Sequence, residues 1–238
     1  MMNRDVLVQP LADADRELAE AVAPVLCFDR AEPFYPVRVG VTVLREAGPS
    51  PSFRRSFAFH DSQLAAIVEY AIYWDYDIQH LYELEHVWVY VGRDGQVLDC
   101  EASFHGKFLR GLWQDRRNLV ENRHVRLYSQ PGKHAFLPDP GLFELVPGFL
   151  EACGVNAGLD GVTVPAMIQD RVKVGDSDHR LVRSYLQTLA FEPAMVFEEY
   201  RIPQELLVSW PALLAEIPER LEAELEKLRK QDSMGDKE

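Results

Sequence analysis

Cysteine is scarce in this chain. Only Cys27, Cys100 and Cys153 occur in 238 residues, odd in number and widely spaced. Without a CxxC pair, neither a disulfide framework nor a zinc finger is suggested. Cys100 sits in a strand-like run and reads as a small buried hydrophobe rather than a nucleophile. Positive charge is short as well: 25 Lys and Arg stand against 38 Asp and Glu, for a formal net charge of −13. No basic block offsets that balance, which argues against a nucleic-acid partner. No apolar run is long enough for a membrane-spanning helix. The opening MMNRDVLVQPLADAD has no signal-peptide character, so the expected location is cytoplasmic. The phosphate-binding P-loop, the GxSxG elbow and the HExxH helix are all missing, as are internal repeats and low-complexity segments.

Hydrophobic residues make up 47% of the chain, ample for a core. The pattern divides into a helical extension over 1–36, a β-rich core over 37–136 that holds the candidate site, and a mostly helical and loop region over 137–238 packed on that core. Leu11, Leu18 and Val22 share one face of a short helix with Asp13 or Asp15 available as its cap, ended by Pro24. Strands are predicted over Val37–Arg45, Phe53–Phe59, Val68–Asp77, Leu84–Val91, Gln96–Ser103 and His124–Ser129. Gly92-Arg93-Asp94-Gly95 has the composition of a hairpin turn. Asp139-Pro140 predicts a helix start, and Asp178 a cap for a helix carrying Leu181, Val182, Tyr185, Leu186 and Leu189. In the last helical region Leu213, Ile217, Leu221, Leu225 and Leu228 form an amphipathic stripe, expected to dock on the protein's own sheet. Pro218 is expected to divide that region, and the tail from Gln231 to fray.

Polar chemistry concentrates between Tyr70 and His105, where Asp75, Asp77, His80, Glu83, Glu85, His86 and His105 lie in aromatic and β-branched sequence. Burying such groups is costly unless they are paired or bound to an ion. Side chains at i and i+2 of a strand point the same way, so Asp75 is expected to project with Asp77, and Glu83 with Glu85. Neighbouring strands would then bring up to four carboxylates together near Ile78–Tyr82, each raising the others' pKa. A hard divalent cation such as Mg²⁺, Ca²⁺ or Mn²⁺, favoured over Zn²⁺, relieves that conflict. His80 or His105 could ligate it or hold one of its waters. The bland alternative is a set of solvated carboxylates at a sheet end, or pairs with Arg54, Arg55 or Arg93. His86 falls on the face opposite Glu83 and Glu85 and reads as a hydrogen-bonded structural histidine, while Trp74 and Trp88 read as core.

Three segments carry a family resemblance: Tyr70–Asp77 (YAIYWDYD), His80-x-x-Glu83-x-Glu85, and Ser103-x-His105-Gly106. Together they resemble the central motifs of the necrosis-inducing NLP cytolysins, over about residues 68–136. Gly132-Lys133-His134-Ala135 resembles a later histidine segment of related sandwich proteins more faintly. The resemblance implies a mainly β fold, a β-sandwich with peripheral N-terminal and C-terminal helices, and an acidic, solvent-reachable cavity holding a divalent cation. It implies metal ligands at Asp77, His80, Glu83, Glu85 and His105. The match departs at Gln79, which stands for the heptapeptide glycine, at Tyr82 for its second histidine, and at Glu83 for its aspartate. The loop before His80 is also shorter than the family's, so the sandwich and metal site carry over and the toxin activity does not. Two functions are then open. One is a metal-dependent hydrolase of the phosphoester class, with His80, Glu85 or His105 positioning water or acting as base. The other is a non-catalytic module that binds a glycan or lipid headgroup through its cation. A structural ion without turnover is a third reading.

Overall fold

A computed structural model describes residues 10–235. Two mixed sheets pack face to face as a β-sandwich flanked by helices at both chain ends. The larger is 7-stranded, in the order Leu207–Ser209, Arg38–Leu44, Leu64–Tyr76, His80–Gly92, Val97–Phe104, Lys107–Arg110, with Gly161–Val162 added beside His80. The smaller runs Phe136–Leu137, His124–Ser129, Val25–Asp29, Phe197–Arg201, with Leu119–Val120 beside His124. Alternation explains the larger sheet's inner face: Val39, Val41, Val68, Tyr70, Ile72, Trp74, Val87, Val89 and Val91 point one way. They meet Leu26, Phe28, Val125, Leu127 and Phe136 of the smaller sheet in one core.

The strand at Val25–Asp29 is buried throughout and was not apparent in the sequence, where it lies within the stretch read as a helical extension. Its five residues are all buried, so it shows no alternation to read. The strand expected over Phe53–Phe59 shrinks to Ser56–Phe57, paired only with Gly48–Pro49. Its phenylalanines serve a loop that folds across the outer face of the larger sheet, next to Ile67 and Trp88.

The first helix, Asp13–Val22, begins after Ala12 without a side-chain cap, so Asp13 and Asp15 act within its first turn rather than as its cap. It lies against the sandwich through Ala19 and Val22, and the Tyr70 hydroxyl donates to the Ala19 carbonyl at 2.6 Å. Asp139 does cap a helical turn, of 3₁₀ type, over Pro140–Leu145. Asp178 is the third helical residue of Asp176–Gln187, not its cap. It reaches back to accept from the Gly175 amide and pairs with Arg229.

The last helix runs unbroken from Trp210 to Gly235 with Pro218 inside it, so the expected division at Pro218 and fraying from Gln231 do not occur over the described residues. Its stripe, Leu213 through Leu228, packs on Ala71 and Tyr73 of the larger sheet's outer face, as the periodicity predicts. The approach is close at Gly40, where a Cβ would meet Leu213 at 3.0 Å and Trp210 at 3.1 Å. Burial of this stripe overcomes the local cost of the proline. Among the described residues, no helix is long and apolar enough to cross a membrane.

Candidate metal centre

One end of the sandwich, where the connection Asp77–Gln79 meets the smaller sheet's loop Gln130–Ala135, gathers the polar residues. Asp77 organises the connection. Its Oδ1 accepts from the backbone amides of Gln79 and His80, both at 2.7 Å. That leaves Oδ2 directed into the site, where Lys133 Nζ donates to it and His80 Nε2 stands 3.3 Å away. On the neighbouring strand Glu83 lies opposite Trp74 and Glu85 opposite Ile72, so both carboxylates face the gap between the sheets. Glu83 Oε2 is 4.0 Å from His80 Nε2. Asp77, His80 and Glu83 each offer one ligand atom, and these atoms all lie within 4.8 Å of one another. His80 Nδ1 is buried without a hydrogen-bond partner. Two oxygens and one imidazole nitrogen make a donor set that accepts hard or borderline divalent cations, so the residues fit the implied ion.

Glu85 and His105 stand outside that triad. Glu85 lies deeper and accepts from the Ser103 hydroxyl, which itself accepts from the His86 amide at 2.5 Å. His105 is exposed on the tight turn between paired residues Phe104 and Lys107, and its Nε2 meets Gln130 Oε1 at 2.8 Å. With φ of 49° at His105 and 73° at Gly106, both turn residues are left-handed, the geometry a two-residue hairpin demands. The His-Gly pair therefore has a turn to make whatever else it does.

Asp75 does not join Asp77. It forms a two-pronged pair with Arg220 of the last helix, at 2.9 and 2.7 Å. Alternation breaks here: Tyr76 packs on the helical side with Tyr73, and its hydroxyl reaches Glu224. Across the ladder, Tyr82 has φ of 84°, a value bulky residues rarely hold. The irregular turn sends Asp75 to the outer face and Asp77 inward. His86 does face outward as expected, stacked on Trp88 with ring centroids 5.5 Å apart. Its ring nitrogens make no hydrogen bond of normal geometry, and the Ser52 main chain beside the ring only partly offsets its burial. Burial pushes its pKa down to about 3. Trp74 and Trp88 are fully buried core residues.

The electrostatics follow from burial and crowding. Burial opposes ionisation of Asp77, but the charges of His80 and Lys133 outweigh it and hold the carboxyl below its ordinary range. Burial, with the charges of Glu85 and Asp77, drives Glu83 well above its ordinary range. Burial lifts Glu85 to about 7 despite the Ser103 hydrogen bond. Burial also lowers His80, and the part-buried setting of the His105 ring lowers that otherwise exposed residue despite its Gln130 contact. Lys133 is opposed by burial yet raised by Asp77.

Lys133 is the functional-site residue that spacing within 70–105 had no means to reveal. Its loop is fixed from behind: Glu32 accepts from the Gly132 amide at 2.7 Å and meets His134 Nε2 at 3.2 Å. The His134 ring stacks on Trp74 at 4.5 Å with planes 2° apart. Gly132 has φ of 68°, and a Cβ there would lie 2.7 Å from Ile78, so the loop closes on the Asp77 connection only with glycine. The one sequence signal was the faint histidine-segment likeness of Gly132–Ala135.

No family model matches the chain, and no curated protein does. Among solved structures, the chain is similar to NLPPya in complex with glucosamine, at 15% identity and TM-score 0.36, covering 68% of this chain and 92% of that one. NLPPya in complex with mannosamine aligns over the same shares, at 16% identity and TM-score 0.36. A structure described as a toxin fold for microbial attack and plant defense aligns at 15% identity and TM-score 0.36. The sandwich itself stands on the strand pairing and the shared core described above.

Proposed function

We propose that the chain is a divalent-cation protein, and that its cation serves a hydrolytic reaction of the phosphoester class. The observation that carries the reading is the convergence of Asp77, His80 and Glu83 within 4.8 Å at the end of the sandwich. These three would hold the ion, with Mg²⁺, Ca²⁺ or Mn²⁺ favoured by the carboxylates and Mn²⁺ best suited to the added imidazole. When bound, such an ion polarises a phosphoryl oxygen and draws a nucleophile's proton into reach. His80 and Glu83 keep 13% and 15% of their side-chain surface exposed, so the triad has a solvent side for a ligand to approach.

Catalysis needs more than ligands, and two further groups support it. Glu85 and His105 are not consumed by the triad, and each is oriented by a neutral partner, Ser103 and Gln130 respectively. A base aimed by a third group is the arrangement that proton transfer requires. Lys133 adds a fixed positive charge beside the triad, suited to a phosphoryl oxygen. A second reading draws on the same rim: a cation with a solvent side also binds vicinal hydroxyls of a glycan or the oxygens of a lipid headgroup without turnover.

The test is hydrolysis of a generic aryl phosphomonoester and phosphodiester with and without Mn²⁺, beside retention on immobilised glycans. Cation-dependent turnover lost in Glu85→Gln or His105→Ala supports the hydrolase. Cation-dependent glycan retention with no turnover transfers the site to the binding reading.

A further inference from the structure

The outer face of the larger sheet, opposite the candidate metal centre, holds an arginine inside an aromatic cage. The Arg55 guanidinium carbon lies 3.9 Å from the Phe108 ring centroid, 4.4 Å from Phe57 and 4.5 Å from Trp88. One nitrogen, Nη2, pairs with Glu101 at 2.6 Å and meets the Tyr90 hydroxyl at 3.3 Å. Nε and Nη1 are buried without a hydrogen-bond partner. The side chain is only 8% exposed. Aromatic faces with a carboxylate at their edge form the general recognition element for an organic cation.

The walls and the plug differ in how they are held. Trp88, Glu101 and Phe108 stand on three successive paired strands, with Trp88 opposite Glu101 and Ser103 opposite Phe108. The floor is fixed too, since Trp88 Nε1 donates to the buried Glu69 carboxylate at 2.7 Å. Arg55 instead belongs to the loop 48–57. The backbone-to-backbone hydrogen bonds of that loop close on itself: Ser50 to Arg55, Arg55 to Phe53, and the short pairing of Gly48–Pro49 with Ser56–Phe57. Side chains fasten it to the sheet, chiefly Ser50 and Ser52 on Glu69 at 2.5 and 2.6 Å, and Arg55 in the cage. Phe108 is 43% exposed, so the cage borders solvent.

We propose that this cage is a second ligand site, for a guanidinium group, and that Arg55 occupies it in cis as a displaceable plug. An incoming guanidinium replaces the Arg55 contacts with Trp88, Phe108, Glu101 and Tyr90, while Phe57, which belongs to the loop, leaves with Arg55. The exchange therefore costs the packing of Phe53 and Phe57 on Trp88, the two serine hydrogen bonds and the contact of the Ser52 main chain with the His86 ring. Binding to the wild type is weakened by the fraction of time the loop is open, and a variant that removes the plug removes that penalty. The site uses none of the residues of the proposed metal centre.

The test follows the four indole N–H resonances of the labelled protein during titration with methylguanidinium and, separately, with a short arginine-containing peptide, at matched ionic strength. The four tryptophans give four signals, and Trp88→Phe assigns the one in the cage. In Arg55→Ala the Trp88 signal is expected to move with a Kd at least about tenfold lower than in the wild type, a difference of about 1.4 kcal/mol. Glu101→Gln added to that variant is expected to abolish the shift. Ser50→Ala with Ser52→Ala removes the two serine donors to Glu69, keeps every side chain of the cage and the Trp88 bond to Glu69, and is expected to tighten binding relative to the wild type, which keeps the question open to test where Arg55→Ala does not fold. A response to methylguanidinium identifies the free cation as sufficient, and a response to the peptide alone identifies a polypeptide arginine. No Trp88 response in a folded unplugged variant, or equal Kd values with and without the plug, overturns the proposal.

Discussion

Lys133 donates its ammonium to Asp77 Oδ2, the one oxygen of that carboxylate not committed to backbone amides. The lysine and a divalent cation therefore contend for the same atom. Replacing Lys133 with Met leaves a fully buried carboxylate without its counter-charge, and unfolding in urea without added cation should show a loss of about 3–5 kcal/mol. Added Mn²⁺ should then stabilise Lys133→Met more than it stabilises the wild type, because binding no longer displaces an ammonium. An equal or smaller gain in the variant would mean that Lys133 and the ion do not share Asp77.

Asp75 provides the control. It is bound by Arg220 through two hydrogen bonds on the outer side of the sheet. Asp75→Asn should cost about 1–3 kcal/mol of stability and leave cation stoichiometry unchanged. Loss of cation binding in this variant, measured by equilibrium dialysis, would show that the two aspartates act together after all.

These two aspartates also mark the limit of what the sequence makes legible. Strict alternation places Asp75 and Asp77 on one face, and it holds for Val87, Val89 and Val91 with Glu83 and Glu85, where the ladder is regular. It fails at the strand end, where Tyr82 takes φ of 84° and the chain turns. No propensity rule announces a left-handed tyrosine, because the surrounding fold imposes it. Val25–Asp29 carries no strand signal because burial on both faces removes alternation, and Lys133 carries none because only long-range packing brings it to Asp77. The strands around Val87 and the docking of the leucine stripe were readable because each rests on local periodicity, whereas the sandwich and the grouping of Asp77, His80 and Glu83 were legible through the motif resemblance.

The pH response should isolate His86. Burial holds its folded pKa at about 3, below the ordinary 6.5 that the unfolded chain recovers. As pH falls below 6.5 the unfolded chain takes up a proton that the folded protein refuses, so this residue's contribution to stability is full above that pH and is lost toward pH 3. His86→Phe retains the stacking position between Phe53 and Trp88 and removes the titration. Relative to the wild type, the variant should gain up to about 1.4 kcal/mol for each pH unit of acidification across that window, measured by urea unfolding. Parallel pH profiles would contradict the assignment.

The C-terminal helix is predicted to belong to the cooperative core. Leu221 is fully buried against the sheet, so Leu221→Ala should cost about 2–5 kcal/mol. A cost below about 0.5 kcal/mol, typical of surface positions, would mean that the helix does not pack on the sheet in solution.

The central claim is the cation site, and equilibrium dialysis against Mn²⁺ with elemental analysis tests it most directly. The wild type should hold about one equivalent, set by Asp77, His80 and Glu83, the single such group among the described residues, and Asp77→Ala combined with Glu83→Ala should hold none. Absence of bound metal in the folded wild type after exposure to Mn²⁺, Mg²⁺, Ca²⁺ and Zn²⁺ would contradict it, and would leave Lys133 as the sole counter-ion of Asp77.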